Sequence, residues 1–283
     1  MEQKLKVGVL GATGMVGQRF VTLLENHPWF ELVAVAASPR SAGKTYEEAV
    51  GGRWKMKTPM PEAAKKLVVL NVNQVEEVAA QVDFVFSAVD MSKDEIRAIE
   101  EAYAKAEVPV VSNNSAHRWT PDVPMMVPEL NPEHAEIIPY QRKRLGTKRG
   151  FIAVKPNCSI QSYTPALHAL REFEPTLVVA TTYQAISGAG KTFKDWPEMI
   201  DNVIPYIAGE EEKSEQEPLR IWGKIEDGVI KKAEGPLITT QCIRVPVEDG
   251  HTAAVFVNFK KKPTKEEIID RWNNFSGEPQ KLN

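Results

Sequence analysis

Lys6-Val7-Gly8-Val9-Leu10-Gly11-Ala12-Thr13-Gly14-Met15-Val16-Gly17 begins as a short apolar run, passes through a glycine turn and continues into helix-spaced residues as far as about Asn26. Strand, glycine turn and helix in that order are the context a dinucleotide-binding turn requires. The first glycine permits the tight turn, and a backbone without side chains lets a pyrophosphate reach the unpaired N–H groups of the helix. The spacing is G-x-x-G-x-x-G, not the commoner G-x-G-x-x-G, so the position of the triplet after the first strand carries the reading. Gly11, Thr13, Gly14, Met15, Val16 and Gly17 are the candidate pyrophosphate contacts.

Working outward, the next apolar run, Leu32 to Ala36, ends where an adenosine ribose would sit. A carboxylate there binds the 2′-hydroxyl of NAD, and none is present. Ser38, Arg40 and Ser41 stand in its place with Lys44 close behind, a set suited to the 2′-phosphate of NADP. The plain alternative is a polar loop with one surface arginine. Asp83 to Ala88 is a further buried strand, Ser92 to Lys105 a charged helix and Pro109 to Ser112 another strand. This alternation predicts a doubly wound parallel sheet, class α/β, over residues 1–155. Ligands in such sheets lie beyond the carboxyl ends of the strands, so Ser87, Ala88 and the cluster Ser112-Asn113-Asn114-Ser115 border the expected cleft. Arg118, just beyond, is either an anion clamp or a structural arginine in a proline-rich loop.

A length of 283 residues suits two domains. Hydrophobic content of 42%, charged content of 26% and a net charge of -3 are those of an ordinary globular chain, with no electrostatic reason to bind nucleic acid or an anionic membrane. The run Arg142-Lys143-Arg144 is read as a solvated helix end or loop. No apolar run approaches the ~20 residues of a membrane span, and the chain enters its first strand without a signal peptide, so a cytoplasmic protein is expected. Two cysteines, Cys158 and Cys242, are too few for a disulfide framework or a zinc site, and no metal is expected.

The second half turns on Lys155-Pro156-Asn157-Cys158-Ser159-Ile160-Gln161. It follows the apolar run Phe151 to Val154 and opens a helix-spaced segment, Ser159 to Phe173, which places Cys158 at a strand-to-helix turn. Unpaired N–H groups and a positive dipole end at such a turn favour a nucleophilic thiolate and hold an oxyanion. The plain alternative is one more buried small residue. Long β-rich segments then appear at Thr176 to Ile186, Leu237 to Val247 and His251 to Lys260. The last two are joined by Glu248-Asp249-Gly250, which predicts an antiparallel hairpin. A helix is expected around Thr264 to Asn274. Residues 156–283 are therefore an α+β domain with a largely antiparallel sheet. Gln184 lies in a strand that ends in the small residues Ser187 and Gly188, which allow a backbone to approach a cofactor. Arg244 and His251 flank the expected hairpin as neighbours across it. Thiol, imidazole and guanidinium together suit acyl transfer, although each alone has a structural explanation.

GATGMVG, SNNSAHR, KPNCS, TTYQAISGAG and R-x6-H, in this order, resemble the archaeal and fungal branch of aspartate-semialdehyde dehydrogenase over nearly the whole chain. The resemblance implies reductive dephosphorylation of L-aspartyl 4-phosphate to L-aspartate 4-semialdehyde with NADPH, on the route to lysine, threonine and methionine. It implies Cys158 as the nucleophile that forms a thioacyl enzyme, His251 as acid and base, and Gln184 as the group orienting the intermediate. Arg244 then binds the substrate carboxylate, while Arg118, with Asn114 nearby, contacts phosphate. The run Glu210-Glu211-Glu212-Lys213 contains the E-x-x-K spacing with which the family binds substrate amine and phosphate; taken alone it reads as a solvated helix face. A homodimer or a tetramer built from dimers is implied. Family members continue past an equivalent of FSGEPQ, so the chain ending at Asn283 is expected to be shortened, lacking part of its catalytic domain and nucleotide pocket. Two rival readings stay open: a malonyl-CoA reductase of the same branch, and a non-catalytic NADP-binding regulator.

Overall fold

A computed structural model describes residues 3–282, which form two compact units. Met1–Pro124 and Ile137–Lys155 make the first, Met125–Glu136 and Pro156–Asn283 the second. A single division at 155/156 therefore misses one excursion. Residues 125–136 group with the second unit and are tied into a local knot by Asn131, which donates to Met125 O and accepts from Val127 N, each at 2.9 Å. His134 Nε2 then meets Gly223 O at 3.1 Å.

The strands of the first unit are β1 (Leu5–Leu10), β2 (Phe30–Ala37), β3 (Val69–Asn71), β4 (Phe84–Ser87), β5 (Val110–Ser112) and β6 (Ile152–Val154). All pair in parallel, in the order β3-β2-β1-β4-β5-β6. The last four residues of β1 and of β2 are buried without alternation, as strands covered on both faces require. Its helices are α1 (Met15–Leu23), α2 (Tyr46–Val50), α3 (Glu62–Lys65), α4 (Val75–Ala79), α5 (Lys93–Lys105) and α6 (Ile138–Leu145). A capping box starts α5: Ser92 accepts from the Glu95 N–H, and the Glu95 carboxylate accepts from the Ser92 N–H at 2.9 Å. Arg142, Lys143 and Arg144 form the last turn of α6, where Arg144 grips Asp122 through two bonds of 2.6 and 2.9 Å. Because β2 and β4 flank β1 on opposite sides, the chain reverses its winding there and leaves a crevice at the carboxyl ends of these strands.

The second unit contains α7 (Thr164–His168), β7 (Pro175–Gln184), α8 (Glu210–Ile221), β8 (Lys224–Glu226), β9 (Val229–Lys231), β10 (Leu237–Arg244), β11 (Thr252–Phe259) and α9 (Lys265–Asn274). The expected hairpin of β10 with β11 does not form. The order is β10-β7-β11, with β10 parallel and β11 antiparallel to β7, so this sheet is mixed. The antiparallel hairpin is the shorter β8–β9 pair, turned by Asp227 and Gly228 at positive φ. Along β7 and β10 one face is buried through Val178, Ala180, Thr182 and Gln184 and through Ile238, Thr240, Cys242 and Arg244. Helix α8 serves this face and also covers the free edge of β10: Thr240 N donates to Glu215 and Cys242 N to Glu211.

Candidate active site

Cys158 is half-buried and Cys242 fully buried. The continuous helix expected from Ser159 to Phe173 is instead a 3-10 turn over Ile160–Ser162, the short α7 and a second 3-10 turn over Arg171–Phe173. Tyr163, at φ -133, leaves helical geometry, and Pro165 starts the next helix because it can give no N–H to a preceding turn. Cys158 therefore precedes one tight turn, without the aligned dipole of a long helix. The turn is built by Asn157, whose Oδ1 accepts both Ser159 N at 2.8 Å and Ser159 Oγ at 2.6 Å. The Cys158 backbone N–H meets no acceptor among the described residues and stays available to an incoming oxygen.

His251 Nε2 stands 3.2 Å from Cys158 Sγ, and its Nδ1 accepts the Ala185 backbone N–H at 3.0 Å. A ring nitrogen that accepts from a backbone donor carries no proton, so the neutral imidazole holds its proton on Nε2, facing the sulfur. Arg244 and Gln184 are register partners on β10 and β7, which brings both to the same end of the sheet as the start of β11. Arg244 and His251 thus approach one another across the end of β7, with Gly188 between them. A Cβ on Gly188 would lie 2.9 Å from Arg244 Nη1 and 2.9 Å from His251 Cε1, closer than side chains tolerate. Arg244 is anchored by donating from Nη1 to Ala185 O at 2.7 Å; burial lowers its pKa, opposed by the nearby Glu210 carboxylate.

Glu210 and Lys213 are not a solvated face. The Glu210 side chain is 13% exposed and pairs with Lys213 at 2.7 Å. Its other oxygen accepts Asn157 Nδ2 at 2.8 Å and Gln184 Nε2 at 3.5 Å. Burial disfavours the Glu210 anion, yet the bonds from Lys213, Asn157 and Gln184 outweigh it, and the carboxyl stays below its ordinary pKa. Glu217, absent from the sequence-based candidates, is 1% exposed on the same helix and accepts the Asn157 backbone N–H at 2.5 Å. Its place seven residues after Glu210, on one helical face, is the only sequence signal that pointed to it.

In the first unit a cleft of about 290 Å³ is lined by Gly11, Thr13, Gly14, Ser38, Arg40 and Ala88, all expected, and by Arg53, Asp90 and Met91, which were not. Gly11 has φ +78, and a Cβ there would come within 2.3 Å of Ala88 O, so only glycine lets the turn meet the end of β4. Met15, Val16, Gly17, Ser41 and Ser87 do not line this cleft. Gly17 is buried against Ala12, where it permits α1 to approach the turn. Ser87 is buried and accepts Asn114 Nδ2 at 3.2 Å. Asn114 also donates to Glu100, at 3.0 Å, and Arg118, 7% exposed, donates from Nε to Lys155 O at 3.0 Å. Ser187 and Gly188 belong to the second unit, in the loop after β7.

Residues 6–138 match the semialdehyde dehydrogenase NAD binding domain, and residues 166–282 match the semialdehyde dehydrogenase dimerisation domain. Over 279 residues, 98% of the chain, 41% are identical to the aspartate-semialdehyde dehydrogenase of Methanothermobacter thermautotrophicus, of which 78% is covered. The chain belongs to the aspartate-semialdehyde dehydrogenase family. The Aspergillus fumigatus aspartate-semialdehyde dehydrogenase is 42% identical, with 99% of this chain and 77% of that protein covered. Among solved structures, that of the Candida albicans aspartate-semialdehyde dehydrogenase with NADP superposes with a TM-score of 0.84 at 36% identity, covering 99% of this chain and 79% of that one. The Cys158–His251 contact and the Gly11 turn stand on separate units.

Proposed function

We propose that the chain converts L-aspartyl 4-phosphate and NADPH into L-aspartate 4-semialdehyde, inorganic phosphate and NADP⁺, a step toward lysine, threonine and methionine. The observation that carries this reading is the protonated His251 Nε2 held 3.2 Å from Cys158 Sγ, in a chain of this family. The Cys158 sulfur anion attacks the acyl carbon; a C–S bond forms, the C–O bond to phosphate breaks, and phosphate leaves. The Cys158 N–H and the His251 Nε2–H are the donors at hand for the carbonyl oxygen as it gains charge. NADPH, when bound, supplies the hydride that reduces the thioester carbon. The oxyanion so formed is held by the His251 Nε2–H and the Cys158 N–H, and its collapse to the aldehyde breaks the C–S bond and regenerates the sulfur anion.

Arg244, a planar fork fixed at one nitrogen by Ala185 O, suits the substrate carboxylate. In the second unit Glu210 suits the substrate ammonium and Lys213 a phosphate; in the first unit Arg118 and Asn114 are of the types that bind phosphate. For the cofactor, Gly11 and Gly14 offer a bare backbone on either side of Thr13: a Cβ on Gly14 would meet only Gly11 O, at 3.5 Å. Ser38 and Arg40 line the same cleft with no carboxylate at the end of β2, which fits NADP. The face of the β10-β7-β11 sheet turned away from α8 leaves Val179, Tyr183, Leu237 and Phe256 from 38% to 69% exposed, which supports a homodimer through this domain.

The test is oxidation of aspartate semialdehyde by the purified chain with NADP⁺, following NADPH absorbance with and without phosphate. Phosphate-dependent formation of NADPH is expected. Turnover with malonyl-CoA and NADPH, but none with semialdehyde, overturns the assignment.

A further inference from the structure

Helix α8 is cross-linked to the nucleophile turn along a single face. Glu210, Ser214 and Glu217 are spaced i, i+4 and i+7, and all reach toward residues 157–163. Glu210 takes the Asn157 side chain and Glu217 the Asn157 backbone N–H, so two carboxylates of one helix hold one residue at both ends. Between them, Ser214 Oγ meets Ser159 Oγ at 3.0 Å. Pro218 lies inside α8 and cannot donate to the carbonyl of Ser214, four residues back; that freed carbonyl accepts Tyr163 OH at 3.1 Å. Ser159, Ser214 and Glu217 are at most 1% exposed, so no water competes for these bonds.

We infer that Glu217 is a positioning residue for the nucleophile: by occupying the Asn157 N–H it fixes the turn that aims Cys158 Sγ at His251. Its effect follows from connectivity. Asn157 immediately precedes Cys158, and its side chain already bridges Glu210 and Ser159. With the backbone N–H held as well, the Pro156–Asn157 peptide plane is fixed at the entry to the turn, and the Cys158 N–H remains the donor left over for substrate oxygen. The same contact couples the turn to the helix whose Glu210 and Lys213 receive substrate. The inference rests on the proposed reaction for its kinetic arm alone.

Two variants separate reach from charge. Glu217→Gln keeps an acceptor oxygen at full length without charge, whereas Glu217→Asp keeps the charge and stops one methylene short. The readouts are the rate and pH profile of Cys158 alkylation by iodoacetamide, kcat and KM for semialdehyde, and NADP affinity as a check on the first unit. For Glu217→Asp, alkylation and kcat are expected to fall about tenfold to hundredfold, the scale of a small misplacement of a reacting group, with KM and NADP affinity little changed. Glu217→Gln is expected to stay near wild type. A Glu217→Gln variant as slow as Glu217→Asp, a Glu217→Asp variant alkylated at the wild-type rate, or a loss confined to KM each overturns the inference. If Glu217→Asp does not fold, Glu217→Gln decides alone: wild-type alkylation supports the role and a loss removes it. Alkylation needs no substrate, so a wild-type chain without phosphate-dependent turnover sinks the proposed reaction and leaves this test intact.

Discussion

His251 presents a protonated Nε2 to Cys158 because its other nitrogen is committed to the Ala185 N–H, at 3.0 Å. The ring is thereby kept as a donor toward sulfur and toward any oxygen that replaces the thiol proton. His251→Asn keeps a short amide but places no donor where the His251 Nε2–H faces the developing oxyanion. Turnover is expected to fall by roughly 10²–10⁴-fold, while NADP affinity is unchanged. Cys158→Ser is expected to abolish the acyl adduct found by peptide mass after reaction without phosphate. Cys242→Ser is the internal control, since Cys242 is fully buried against Ser214 and should affect stability and not chemistry. An adduct on Cys242 overturns the covalent assignment.

Gly188→Ala is expected to damage the site by crowding it, with no reactive group removed. The added methyl would come 2.9 Å from Arg244 Nη1 and 3.0 Å from His251 Nε2. Both must shift, so kcat should drop and KM for semialdehyde should rise together, with thermal stability nearly unchanged. Wild-type kinetics in this variant removes Gly188 from the site.

Arg40 is expected to read the adenosine 2′-phosphate from its place in the cleft beside Ser38. Loss of one charge-assisted contact costs roughly 1.5–3 kcal/mol, so Arg40→Ala should weaken NADP about tenfold to hundredfold. NAD binding, measured by titration of protein fluorescence, should barely move. Equal losses for both cofactors reject the assignment.

Glu107 dominates one acid-sensitive contact of the first unit. Its carboxylate accepts the backbone N–H groups of Gly150, Lys148 and Arg149, which hold its pKa down at about 2. The native value lies below the ordinary carboxylate range, so the stabilisation is fully present above the unfolded pKa and is lost as pH falls from about 4.5 toward 2. Glu107→Gln should flatten this part of the curve of unfolding midpoint against pH. An identical acid limb in the variant shows that other carboxylates govern it.

The parallel sheet was legible from sequence because its signals are local. Each apolar run, glycine turn and capping box is complete within about a dozen residues, and a strand buried on both faces advertises itself by composition alone. Cys158, His251, Arg244 and Gln184 were likewise recognisable as residue types in quotable motifs. The order β10-β7-β11 was not legible. The turn at 248–250 shows that the chain reverses there, but a strand's own alternation cannot reveal that β7, more than fifty residues earlier, has inserted between β10 and β11. Nor could sequence stop the expected helix after Cys158, since apolar spacing over Ser159 to Phe173 fits a helix and only packing against α8 rewards the irregular turn. Glu210 and Glu217 show the same limit more sharply. A run of carboxylates on a helix looks solvated, because burying a charge is costly unless partners await it. Lys213 stands on the helix itself, but the other partners, the two ends of Asn157 and the Gln184 amide, come from two separate segments of the chain and meet the helix only when the tertiary structure closes.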